Sequence, residues 1–210
     1  MSYSVYLVVG STITSTPLEE IMSTVAIVYF SGYGHTVRVA QAVADGVRSA
    51  GATAELIVID QEGQIKDADW TTLENAGGII FGSPTYMGNA PWQFKRFADA
   101  SSKPWYARKW QDKLAGGFTN SASMNGDKGS TLQSMVTLAS QHGMLWVSLG
   151  VLPSNSKAAE RNDPNFLGGS VGVLAQSPSD SSPEEGPLPG DLDTARGYGS
   201  RFAGLLARFK

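Results

Sequence analysis

The chain reads as an α/β domain built on a parallel sheet. Five short apolar runs of strand length recur between Thr24 and Val151, and helical or polar stretches separate them. The length, 210 residues at 41% hydrophobic composition, suits one domain with one good core. Apolar runs in this arrangement are the signature of parallel strands covered by helices on both faces.

The runs in order are "TVAIVYF" (24–30), "TAELIVI" (53–59), "GGIIFGSP" (77–84), "KLAGGFTNS" (113–121) and "LWVSLGV" (145–151). Between the first two, Val39, Val43 and Val47 recur at i, i+4 and i+8 beside Ala40 and Ala44. That spacing predicts a helix buried on one stripe, ended by Gly51 in a left-handed cap. Further helices are predicted in "PWQFKRFADAS" (91–101), with Pro91 at its first position, in "STLQSMVTLASQHG" (130–143), closed by Gly143, and in "LDTARGYGSRFAGLLARF" (192–209). The polar, Pro-rich "SPSDSSPEEGPLPG" (177–190) reads as a surface loop before the last helix. The segment 1–22 has a short apolar run, Val5 to Val9, with no basic region before it and too little length to span a bilayer. It is expected to stand outside the fold as a flexible extension or a mis-set start, leaving 23–210 as the domain.

Sixteen Lys and Arg against 19 Asp and Glu leave a formal net charge of −3, which points away from nucleic-acid binding. The absence of cysteine removes disulfides, thiolate metal sites and a Cys nucleophile, and suits a cytoplasmic protein. Two histidines, His35 and His142, leave little for a metal cluster, and no metal is expected.

The first strand runs into Ser31, Gly32, Tyr33, Gly34, His35, Thr36 and Val37 and then into a helix. A strand, a glycine-containing turn and a helix N-terminus together aim unpaired N–H groups at one point, where an anion is stabilised. The loop lacks the Lys of a GxxxxGK[ST] motif and lacks GxGxxG, so a phosphate monoester held without a lysine fits better than a nucleoside triphosphate or a dinucleotide. The alternative is a plain strand-to-helix turn with Thr36 as its N-cap. The segments after the third and fourth strands, "SPTYMGNAP" (83–91) and "TNSASMNGDKG" (119–129), fall on the same side of such a sheet. Their small polar residues suit backbone contacts to the edge of a flat heterocycle, with Tyr86 and Met87 covering a face.

Taken together, "SGYGHT", "SPTYMGN", "FTNSASMNG", "QHGM" and "ARGYGSRFAGL" resemble the flavodoxin-like FMN proteins, and within them the WrbA family of NAD(P)H:quinone oxidoreductases, over residues 24–210. The resemblance implies a flavodoxin-like three-layer sandwich with a five-stranded parallel sheet of order 2-1-3-4-5 and FMN at its carboxyl edge. Ser31 to Val37 would hold the FMN phosphate. Pro84, Thr85, Tyr86, Met87, Gly88 and Asn89 would line one side of the isoalloxazine; Thr119, Asn120, Ser121, Ala122, Ser123, Met124 and Asn125 would line the other. His142 would assist near the quinone oxygen, Trp105 would flank the substrate, and Tyr33 would lie where NADH or NADPH approaches. The implied activity is two-electron quinone reduction through bound FMN, without membrane insertion, in a homo-oligomer, dimer or tetramer. A flavodoxin-type electron carrier and a non-enzymatic regulatory module are the alternatives. The chain departs from the family in its short 60–76 segment and in Tyr86-Met87, where Arg-Phe is frequent.

Overall fold

The structure is a computed structural model that describes residues 4–9, 12–17 and 24–209. Strands β1 (Ser4–Val9) and β2 (Thr12–Pro17) pair antiparallel in a two-stranded sheet separate from the main one. The rest of the expected 1–22 extension lies outside the described residues.

The main sheet begins with β3 (Thr24–Phe30) and continues through α1 (His35–Ser49), β4 (Thr53–Ile59), α2 (Asp67–Asn75) and β5 (Gly78–Pro84). Helices α3 (Trp92–Ala100) and α4 (Ser102–Tyr106) lead to β6 (Leu114–Ser121), α5 (Lys128–Gln141), β7 (Leu145–Trp146), β8 (Val173–Gln176) and α6 (Pro189–Leu206). The strand order is β4-β3-β5-β6, with β7 and β8 both on the outer side of β6 and every pair parallel. Counting β7 and β8 as one position gives the expected 2-1-3-4-5.

That shared position corrects the expected fifth strand at 145–151. β7 pairs Leu114–Ala115, β8 pairs Phe118–Ser121, and residues 147–172 leave the sheet between them. Val147 and Leu149 are apolar because they are buried in the core, and Leu149 N–H bonds Ser170 O rather than continuing the ladder. Hydropathy reports burial, and here burial and strand pairing part company.

Alternation along β3 sends Val25, Ile27 and Tyr29 to one face and Ala26, Val28 and Phe30 to the other. The first face packs with Val39, Val43, Tyr198 and Phe202 under α1 and α6; the second packs with Phe81, Phe94, Phe97 and Met135 under α3 and α5. Helices α1 and α6 touch backbone to backbone. A Cβ on Gly46 would stand 1.9 Å from Arg196 O, and one on Gly199 would stand 2.0 Å from Val43 O. Gly51 and Gly143 adopt the left-handed conformation expected after α1 and α5, while Pro91 caps α3 one residue before its first turn.

Candidate functional site

The loops after β3, β5 and β6 meet at the carboxyl edge of the sheet around a cavity of ≈ 580 Å³. In the first loop Gly34, with φ of 92°, occupies the N-cap position of α1, and its N–H bonds Ser31 Oγ at 3.1 Å. Thr36 is therefore not the cap; it sits in the first turn and lines the cavity with Tyr33 and His35. The N–H groups of Gly32, Tyr33, His35 and Thr36 have no acceptor among the described residues. Four unpaired donors at a helix N-terminus, three of them on residues that line the cavity, are the kind of group that an anion satisfies. Val37 does not contribute a donor: its N–H is taken by Gly34 O and its side chain packs on the core.

The second loop is braced from beneath. Thr85 Oγ1 lies 2.8 Å from both Thr119 Oγ1 and Thr131 Oγ1, joining β5, β6 and α5 through buried hydroxyls, and Thr85 N–H bonds Asn120 O. The chain then reverses in a two-residue turn closed by paired Tyr86–Asn89 backbone bonds, with φ positive at Met87 and Gly88. Pro84, Thr85 and Tyr86 line the cavity, Met87 projects fully into solvent, and Asn89 faces a neighbouring groove between α3 and α5. Tyr86 leans back across the mouth: its ring meets Tyr33 edge-on at 6.0 Å, and a Cβ on Gly32 would lie 2.4 Å from its hydroxyl. Burial and the neighbouring Tyr33 push its phenol pKa up.

From the third loop Asn120, Ser121 and Ala122 reach the cavity. Thr119 is buried beneath it, and Ser123, Met124 and Asn125 curl behind, where Met124 and Asn125 line a separate cleft. A fourth wall comes from the stretch expected to be a plain surface loop. Ser177, Pro178, Ser179 and Ser181 line the cavity; Ser181 O bonds His35 Nε2 at 3.0 Å, and Pro183 O accepts from Arg38 Nη1 at 2.6 Å. The clustering of Ser and Pro was visible in sequence, but its long-range backbone bonds to α1 were not.

His142 and Trp105 are not brought to this cavity. α5 starts beside the carboxyl edge and its 14 residues carry the chain about 20 Å, so His142 lies next to the amino end of β6, where Gly143 O accepts from Asp112 N–H. Trp105 Nε1 donates to Gln141 O there, and the two residues line a separate cavity of ≈ 410 Å³. His142 is 6% exposed, bonds Ser101 Oγ at 2.9 Å and stacks on Trp110 at 4.2 Å; burial lowers its pKa to about 4, so the ring is neutral at pH 7. Its match to a motif located it in the chain but not in space.

Among the described residues there is no cluster of His, Cys, Asp or Glu that would hold a metal ion, and no helix is long and apolar enough to cross a membrane.

Residues 25–158 match the NADPH-dependent FMN reductase family. Flavodoxin FldP of Pseudomonas aeruginosa is 58% identical over 182 residues, covering 87% of this chain and 96% of the relative. An NAD(P)H dehydrogenase (quinone) of Chromohalobacter salexigens is 32% identical over 203 residues, covering 89% and 98%. Among solved structures, the flavodoxin, WrbA-like protein of Agrobacterium tumefaciens is 50% identical, covers 90% of this chain and 99% of that one, and superposes with a TM-score of 0.72.

Proposed function

Because this chain belongs to the NADPH-dependent FMN reductase family, we propose that it is an FMN-dependent NAD(P)H:quinone oxidoreductase whose flavin occupies the carboxyl-edge cavity. The observation that carries the reading is the set of four unpaired N–H groups of Gly32, Tyr33, His35 and Thr36 at the start of α1. They fit a phosphate, and the adjoining cavity is walled by the small polar loops and tyrosines a flat ring system needs.

Bound FMN would supply hydride acceptance from NAD(P)H and two-electron donation to a quinone. The chain's own residues bind and orient. Gly34 sets the left-handed turn that aims the N–H groups, and Ser31 holds that turn closed. The buried Thr85–Thr119–Thr131 cluster fixes the two ring-facing loops relative to each other, which is the preorganisation a two-substrate site requires. Tyr33 and Tyr86 stand at the open side, where nicotinamide and quinone would enter in turn. Trp105 and His142 serve this reading only from a neighbouring copy of the chain, because each lies at the far end of its own sheet. A homo-oligomer that carries them to the next cavity is therefore part of the proposal. There His142 would act as a neutral hydrogen-bonding ring rather than as an imidazolium acid.

The reading is tested by NAD(P)H consumption with benzoquinone. FMN-loaded protein should turn over with parallel double-reciprocal lines, as one open site visited alternately predicts, and Gly34→Val should abolish FMN retention. A second reading, a flavodoxin-type carrier, is favoured by the 58% identity to a protein named flavodoxin. It predicts no appreciable turnover from NAD(P)H.

A further inference from the structure

Gln176 closes β8, and the next residue, Ser177, begins the fourth wall of the carboxyl-edge cavity. Ser177 N–H bonds Ser121 O at 3.1 Å, and Ser177 Oγ donates to Asn120 Oδ1 at 3.1 Å. Gln176 Nε2 donates to Ala122 O at 2.8 Å. Asn120, Ser121 and Ala122, all of which line the cavity, are thus tied to residues 176 and 177. Whatever holds Gln176 therefore sets where two of the cavity walls stand.

Gln176 is held from outside the cavity. Successive N–H groups of a strand point to opposite edges; that of Ser177 faces β6, so that of Gln176 faces away and donates to Asp191 Oδ2 at 2.9 Å. Asp191, in the first turn of α6, is 3% exposed, and Arg161 grips it through both oxygens, at 2.8 and 2.7 Å. The same guanidinium reaches Gln176 Oε1 from Nη2 at 3.4 Å. An amide has one accepting end and one donating end, so a cation at Oε1 leaves Nε2 as the end that faces Ala122 O. Neither Arg161 nor Asp191 lines the cavity. The pair is poorly made for stability alone: desolvating two charges offsets much of their attraction, and Arg161 Nε–H is buried with no acceptor among the described residues. One guanidinium that touches both a carboxylate and an amide suits the fixing of geometry.

We propose that Arg161 is a positioning residue for the flavin ring: through Asp191 and the Gln176 amide it sets the Asn120–Ala122 and Ser177 walls between which the ring lies. This rests on the placement of FMN in the carboxyl-edge cavity. The Gln176 amide is the link, so losing Arg161 and losing the amide have the same consequence: the walls have to be ordered at the moment the ring binds, and affinity for the ring falls. The N–H groups at the start of α1 are set by Gly34 and Ser31, which take no part in this chain of bonds. Affinity for the phosphate is therefore left as it was.

The test is titration of the full-length, flavin-free protein with FMN and with riboflavin, which carries the ring without the phosphate, read by quenching of flavin fluorescence. Inorganic phosphate is added as a competitor against FMN, and urea midpoints establish that each variant is folded. Arg161→Met and Gln176→Met should each bind FMN and riboflavin about fivefold more weakly, the worth of one hydrogen bond, with the inhibition constant of phosphate within about twofold of wild type. Arg161→Lys, which keeps the charge without the two-pronged grip, should fall between wild type and Arg161→Met. Combining Arg161→Met with Gln176→Met should cost no more than the larger single loss, because both changes break one chain of contacts. Wild-type riboflavin affinity in Arg161→Met, losses that multiply in the double variant, or equal losses for riboflavin and phosphate would each overturn the proposal. Gln176→Met leaves the ion pair in place and decides the question if Arg161→Met does not fold: wild-type riboflavin affinity there overturns the proposal as well. Gly34→Val distinguishes the reading beneath. Unchanged FMN affinity in Gly34→Val would overturn the placement of the flavin, whereas FMN lost there and unchanged in the Arg161 and Gln176 variants would overturn this proposal alone.

Discussion

Single atoms decide much of the site. Gly34 carries φ of 92°, and a Cβ there would stand 2.8 Å from Pro183 Cγ. Gly34→Ala should cost about 1–2 kcal/mol from the left-handed backbone alone, read as a lower urea midpoint, with weaker FMN retention. Thr131→Val removes a hydroxyl from the buried threonine cluster and leaves its partners short of a bond; a loss of about 1–3 kcal/mol is expected, measured by chemical denaturation. His142 yields a pH dependence whose sign follows from its lowered pKa. The unfolded chain takes up the proton near 6.5 and the folded chain only near 4, so the stabilisation is present above pH 6.5 and is lost as pH falls to 4. The loss should be of the order of 3 kcal/mol, and His142→Gln should flatten it. Stability that does not change between pH 6.5 and 4 in wild type would contradict this account.

At the scale of elements, the α1–α6 contact is the tightest in the fold, since Gly46 and Gly199 each sit against the other helix's backbone. Gly199→Ala has no flexible neighbour to displace, so the helices must separate; a cost of about 1–3 kcal/mol or more is expected, with a lowered thermal midpoint. An unchanged midpoint would show that the helices slide freely. Most elements were legible from periodicity: β3 and β4 fall on the residues that hydropathy marks, and Gly51 and Gly143 close their helices as anticipated. The split fifth strand was not. "VLAQ" (173–176) is too short and mixed to announce a strand, and it becomes one because β6 offers an unpaired edge from Phe118 to Ser121.

Across the whole molecule, loops far apart in sequence converge because parallel strands all deliver their carboxyl ends to one edge. That rule makes the loops at 31–37, 84–89 and 119–125 readable as one site from sequence, and the cavity is lined by only part of each: Tyr33, His35 and Thr36, then 84–86, then 120–122. It does not extend to residues named by motif alone. His142 and Trp105 follow a helix back to the amino edge, and Ser177 to Ser181 reach the cavity through bonds from Ser177 to Ser121 and Asn120 and from Ser181 to His35 on α1. The most direct measurement is an anaerobic titration of the FMN-loaded protein with NADH and with NADPH, followed by addition of benzoquinone, while the flavin spectrum is recorded. The account predicts bleaching by at least one nucleotide and full recovery of the oxidised spectrum on adding the quinone. Bound FMN that neither nucleotide bleaches would contradict the oxidoreductase and leave the carrier.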